Sequence, residues 1–379
     1  MDFRPTEDQR ALVGLAGDVF GTLSTHERLK QLRDLGEEFD QELWAATAAA
    51  GLLGAIVDEK HDGGALGMVG LALLLEQQGR HTAQIPLLDT LVYGVLPLLR
   101  FASESDIDAS LPALLDGTRI VAGALAETGA GLPGTPKATA RPDGDRYLLD
   151  GAKRAVPWAR VAHRLLVTAS LDGRTAVFLV DTGADGVTIE AAPTTAPWAS
   201  GNVLLTAARA RALGDVAHGT ETAAWIADRA RVALAALQVG VCAQALARTV
   251  EHVTTREQFG KPLATRQGVM MRAAEAYMDT EAIRVTTWEA AWRMDQGEAA
   301  AEQALVARWW ASEAGKRAVH ACQHLHGGTG ADIDHPVHRH FLWGRQIDVT
   351  LGSGMQQLAA LGALLAQDTG STTAQGAGA

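Results

Sequence analysis

With 379 residues, the chain is long enough to bury a sizeable core and to divide into two or three domains. Its formal net charge of −11, with arginines interspersed among acids, excludes nucleic acid as the main partner, because neutralising phosphates needs clustered cations. Alanine and leucine dominate and aromatics are few, which favours a mostly helical chain. No window approaches about 18 uninterrupted apolar residues, so no membrane span is expected. The polar start Met1-Asp2-Phe3-Arg4-Pro5 does not read as a signal peptide, and a cytoplasmic location is expected.

Residues 1–119 read as a helical domain. Residues 7–20 and 39–50 space their apolar positions with helical period. The stretch Asp58-Glu59-Lys60-His61-Asp62-Gly63-Gly64 has turn chemistry. A helix then resumes at Val69, with Gly79 suited to its C-terminal cap. From about Ile120 the period changes. Residues 120–125, 146–149, 163–169 and 175–180 are short and strand-like, punctuated by Gly129-Ala130-Gly131, Pro142-Asp143-Gly144-Asp145 and Leu171-Asp172-Gly173-Arg174. They predict a small antiparallel β domain over 120–217.

Helical period returns over 218–368. A helix over 222–255 would span roughly 50 Å at about 1.5 Å per residue. Further helices over 267–296, 300–325 and 354–366 complete a four-helix bundle. The Gly/Ser/Thr/Ala-rich tail, 369–379, is expected to be disordered. Cys242 and Cys322 lie in Ala-rich helical sequence and read as small buried hydrophobes. His335, His338 and His340 have no acidic or Cys partner at metal-ligand spacing, so no metal is expected.

Two stretches depart from this Ala-rich background. In Arg256-Glu257-Gln258-Phe259-Gly260-Lys261-Pro262-Leu263, a cation follows a helix end and an aromatic adjoins flexible backbone. Such a loop could clamp a dinucleotide, with Arg on pyrophosphate and Phe on an adenine or ribose face. It could equally be a helix-to-helix turn with a solvated Arg and a Phe in the core. About seventy residues later comes His324-Leu325-His326-Gly327-Gly328-Thr329-Gly330, whose paired glycines let backbone approach a ligand or another chain closely.

Together, RxxFGxxL and HGGxG resemble the C-terminal half of the acyl-CoA dehydrogenase family of flavoenzymes. The resemblance implies a mainly α fold with a β middle domain. It implies that Arg256, Gln258, Phe259, Gln267, His324, Gly327 and Gly328 reach across a subunit interface to the adenine and pyrophosphate end of a partner's FAD. Arg231 resembles an arginine kept near CoA in that family. The family removes an α-proton from an acyl-CoA thioester while the β-hydride passes to the flavin, with electron-transfer flavoprotein as the expected acceptor.

Other family features are altered. Where T-E-P-x-x-G-S-D is expected beside the flavin ring, the chain reads Ala126-Glu127-Thr128-Gly129-Ala130-Gly131-Leu132-Pro133. Where W-I-T or W-I-S is expected, it reads Ala155-Val156-Pro157, and Trp158 is shifted from the family's tryptophan. The usual glutamate of Y-E-G-T/S is Leu351, and the second location used by some relatives is Ala230. Asp228 and Asp348 would point elsewhere. The pattern resembles the base-lacking subunit of heteromeric (α2β2) steroid-type acyl-CoA dehydrogenases, in which this chain would complete a partner's FAD site. The alternatives are a self-sufficient homotetramer with an unfamiliar base and a non-enzymatic scaffold.

Overall fold

The computed structural model describes residues 4–129 and 134–376. The N-terminal domain is helical. Helix α1 (Glu7–Leu23) starts with a capping box, in which Thr6 and Gln9 each bond the other's backbone N–H. Thr25 caps α2 (His26–Leu35) and Asp40 caps α3 (Gln41–Ala49). After α4 (Gly67–His81), the chain runs through α5 (Leu87–Asp89), a π-helical turn (Thr90–Val95), α6 (Leu96–Phe101) and α7 (Glu104–Leu115). Gly79 is not the cap of α4. Thr82 takes that left-handed position, and Gly79 lies inside the helix for a packing reason. A Cβ there would come within 2.2 Å of the Leu237 carbonyl oxygen, and one on Gly240 within 2.0 Å of the Glu76 carbonyl oxygen. The two glycines let this helix cross the first bundle helix backbone to backbone.

The middle domain is one seven-stranded sheet. Its strands are β1 (Val121–Ala124), β2 (Thr139–Asp143), β3 (Arg146–Val156), β4 (Arg164–Leu171), β5 (Arg174–Asp181), β6 (Val187–Ala191) and β7 (Gly201–Ala212). The order is β1-β4-β2-β3-β7-β5, with β6 on β7 and β4 also paired to β5. The expectation of a purely antiparallel sheet needs correcting, because β1 and β2 both run parallel to β4. A buried ion pair pins the domain. Lys153 Nζ, fully enclosed, bonds Glu127 Oε1 at 2.5 Å, and the Glu127 carboxylate also accepts from the Lys137 and Ala138 amides. Leu132 and its neighbours 130–133 lie outside the described residues, so the altered turn is seen only up to Gly129.

The C-terminal domain is built on α8 (Gly219–Thr255), followed by a hairpin of β8 (Glu257–Gln258) and β9 (Lys261–Pro262). Helices α9 (Gln267–Asp295), α10 (Ala301–Leu325), α11 (Pro336–Val349) and α12 (Gly354–Gly376) complete it. The four expected bundle helices are present, joined by α11, whose His- and Arg-rich sequence hides its helical period. Helix α12 continues to Gly376, through most of the tail expected to be disordered. By length and composition, Val216–Thr255 and Pro336–Gln367 are long and apolar enough to cross a membrane. The first is the buried axis of the bundle, and the second is broken by the turn at Thr350–Ser353. Cys242 and Cys322 are both free and buried.

Polar ties join the domains. Asp295 at the end of α9 accepts the Met68 and Val69 amides at the start of α4. Glu76 on α4 pairs with Arg80 and with Arg284 on α9. These contacts fix α4 against the bundle and thereby shape the cavity between them.

Candidate active site and cofactor interface

Where the three domains meet, a cavity of about 140 Å³ is lined by Ala126, Ala155, Val156, Pro157 and Leu351. These are the positions that the resemblance puts around a flavin ring and an acyl chain. Tryptophans wall it. Trp158, Trp198 and Trp343 are almost fully buried and line the cavity. Trp198 and Trp343 meet edge to face at 5.3 Å, and Phe39 meets Trp158 in the same way at 6.5 Å. Around this space Ala126, Val156 and Pro157 offer a flavin ring no side-chain hydrogen bond, and Pro157 has no backbone N–H to donate.

Leu351, where the resemblance expects a glutamate, stands on a constrained turn. Its φ of +58° is a left-handed value that costs a non-glycine residue, followed by Gly352 at +95°. Fully buried Arg308 grips this turn, its Nη2 bonding the carbonyls of Ile347 and Thr350 at 2.5 Å. Burial pushes its guanidinium down to about 10. Gln357 donates to the Leu351 carbonyl at 2.8 Å. The turn is thus rigid and carries an apolar side chain.

Arg231 is spent inside the fold. It bonds Asp228 at 2.5 Å and Gln357 at 3.2 Å, and only 8 % of it is exposed. Asp228, raised by burial, is occupied by that pair, and Asp348 pairs with Arg345 at 3.1 Å. Ala230 is fully buried. One acid that sequence reasoning missed does line the cavity. Asp89 is 4 % exposed and accepts the Gly123 amide at 3.4 Å, and burial pushes its carboxyl up to about 8. An acid inside the apolar run Ile85 to Val95 was the available signal.

The two motif stretches face outward and lie together. Phe259, at the tip of the hairpin, is 92 % exposed with φ +55°. It is not in the core, which removes the helix-to-helix turn with a buried phenylalanine as an explanation. Arg266 braces the hairpin, donating to the Gln258 carbonyl at 3.1 Å with its guanidinium 5.7 Å from the Phe259 ring. Arg256 and Gln267 are exposed, and the Arg256 side chain has no hydrogen bond or ion pair among the described residues. His326, just before Gly327, stacks at 4.5 Å on His252, one turn before Arg256, and lies 5.0 Å from His335. Burial lowers all three histidines, which favours the neutral rings that can stack. This stack seats the Gly327-Gly328 turn beside the hairpin's base. His324 is exposed and bonds Arg272 across an open trough between α9 and α10.

Comparison with known proteins identifies the family and the fold. Residues 6–118 match the N-terminal domain of acyl-CoA dehydrogenases and residues 217–363 match their C-terminal domain. Acyl-CoA dehydrogenase FadE27 of Mycobacterium tuberculosis is 34 % identical, over 97 % of this chain and 99 % of its own length. A variant of the Tcur3481-Tcur3483 steroid ACAD superposes with a TM-score of 0.91 at 42 % identity, covering 96 % of this chain and 99 % of that one. The ChsE4-ChsE5 complex of Mycobacterium tuberculosis gives 0.90 at 35 % identity, covering 97 % and 99 %.

Proposed function

This chain belongs to the acyl-CoA dehydrogenase family, oxidoreductases acting on CH–CH bonds, and on that premise we propose that it is the subunit of a heteromeric (α2β2) dehydrogenase that completes a partner's FAD site without running its own. The observation that carries this is the contrast between two halves of one site. The inner half, where a ring and a base would sit, is a tryptophan-walled cavity bearing Leu351 and Pro157. The outer half, Arg256, Phe259 and the Gly327-Gly328 turn, is exposed and preformed.

FAD held by the partner would supply hydride acceptance. The residues of this chain hold its far end. Arg256 makes a charge-assisted bond to the pyrophosphate, Phe259 offers a ring face, and Gly327 and Gly328 admit close backbone approach. Gln258, Gln267 and His324 border the same surface. The substrate is a bulky, steroid-derived acyl-CoA bound in the partner, a reading supported by the likeness to a steroid ACAD.

The experiment is flavin retention by the co-expressed complex carrying Arg256→Ala. A charge-assisted hydrogen bond is worth about 1.5–3 kcal/mol, so FAD should bind roughly ten- to a hundred-fold more weakly. Unchanged retention would remove Arg256 from the site and favour the scaffold reading. A second reading, a self-sufficient homotetramer, is favoured by one observation: Asp89 is a carboxyl in the same cavity as Leu351.

A further inference from the structure

Towards the N-terminal end of α11, lined by different residues from the tryptophan cavity, lies another pocket of about 240 Å³, between α1–α2, the end of α4, α8 and α11. Arg80, Arg248, Arg339, His26, His81 and His340 contribute to its lining, with no Asp or Glu among the lining residues. That is unusual in a chain of net charge −11.

The charges are not neutralised by the fold. Arg80 is paired with Glu76, but among the described residues Arg248 has no ion pair or hydrogen bond, and its buried Nε has no partner. Arg339 donates from Nη1 to His26 Nδ1 at 2.9 Å, while its buried Nη2 has no partner among the described residues. Burial, then the charges of Arg33 and Arg248, press the Arg339 guanidinium down to about 10 against the weaker pulls of Asp334 and Asp34. Burial also lowers Arg248, opposed by Glu251. His26 and His81 are lowered by burial and by neighbouring arginines. His340 is fixed by bonds to the Arg80 and Pro336 carbonyls, so it shapes the wall rather than reaching for a ligand. Two half-buried guanidinium groups with unused donors, facing one void without a carboxylate, cost the fold energy unless an anion enters.

We propose that this void is a binding site for a phosphate-bearing anion, held by Arg248 and Arg339 with His26 and His81 alongside, which latches the N-terminal helices to the bundle. The void is polar and roomy enough to hold several waters. That suits a pyrophosphate or a phosphomonoester better than a chloride. Planar guanidinium forks match such oxyanions with two parallel bonds. The site lies about 12 Å along α8 from Arg256, at about 1.5 Å per residue, and its occupancy does not depend on the shared-flavin reading.

The test uses the full chain, or its co-expressed complex if that is the folded form, in anion-free buffer. Melting temperature and calorimetric binding are measured with inorganic phosphate, pyrophosphate and adenosine 3′,5′-bisphosphate, against sodium chloride at matched ionic strength. At least one phosphate is expected to bind and to raise the melting temperature. A preference for the two inorganic ions assigns the site to free phosphate, and a preference for the bisphosphate assigns it to a nucleotide. Arg248→Gln and Arg339→Gln should each lose at least ten-fold in binding, while Arg209→Gln, on the distant β sheet, should not. Without ligand, Arg248→Gln should melt no lower than the parent, because an unpaired cation has been removed. An arginine with a purely structural role would lower it. Failure of all three ligands to bind, or loss of stability in ligand-free Arg248→Gln with binding unchanged, overturns the proposal.

Discussion

At position 351 a side chain without chemistry stands on a backbone built with care. The left-handed φ, the Arg308 grip and the Gln357 bond all persist around a leucine. Restoring a carboxylate there restores only one requirement. Leu351→Glu, purified without a partner, should show no acyl-CoA dehydrogenase turnover, because Ala126, Val156 and Pro157 still offer a flavin ring no side-chain hydrogen bond. Turnover in a dye-reduction assay would contradict this. Asp89 gives a second test. Its carboxyl is raised from 3.8 to about 8 by burial, so the folded chain keeps a proton that the unfolded chain releases. Stability from this group is full below about pH 4 and is lost as pH rises through about 8. Asp89→Asn should therefore melt higher than the parent at pH 8, with the gap shrinking towards pH 5. A gap that does not change with pH would mean the carboxyl is ionised in the fold. At this scale the sequence was legible where a residue type was wrong for its position, as at Leu351 and Pro157. It was not legible at Asp89, whose meaning depends on the walls that enclose it. Glu127, which survives from the family segment, turns out to serve Lys153 and two backbone amides.

Among the elements, helices announced themselves by period, and α8, α9 and α10 start and stop within a few residues of where spacing put them. Strands were harder. The β7 stretch Ala207-Ala208-Arg209-Ala210-Arg211-Ala212 lacks the β-branched residues that mark a strand, and β2 carries Pro142 and is largely exposed. Both are held by the register of their neighbours rather than by propensity. Gly79 shows the same limit, since a glycine near a helix end looks like a cap until the crossing partner is visible. The crossing of α4 and α8 makes its own prediction. Gly240→Ala places a Cβ 2.0 Å from the Glu76 carbonyl oxygen. Overpacking of this kind costs about 1–3 kcal/mol and sometimes more, measurable as a lowered midpoint in urea. An unchanged midpoint would mean that the helices slide apart freely and that the glycine pair does not set their distance.

For the whole molecule, the surface is as informative as the core. Met271, Met278 and Val285 repeat every seven residues along α9 and are 56 %, 61 % and 46 % exposed. Met270 and Tyr277 flank them, and Met355 and Leu358 add exposed apolar area on α12. Met278 also lines the trough where His324 meets Arg272. One chain thus presents an inner cavity bearing Leu351 where the resemblance expects a glutamate, and an outer face with several exposed apolar side chains. The most direct test is flavin per chain by absorbance, for this protein expressed alone and then co-expressed with a dehydrogenase subunit that carries the glutamate. No flavin alone and one FAD per heterodimer is the result the shared site predicts. One FAD per chain in the protein purified alone would contradict it and would turn attention to Asp89 as the base.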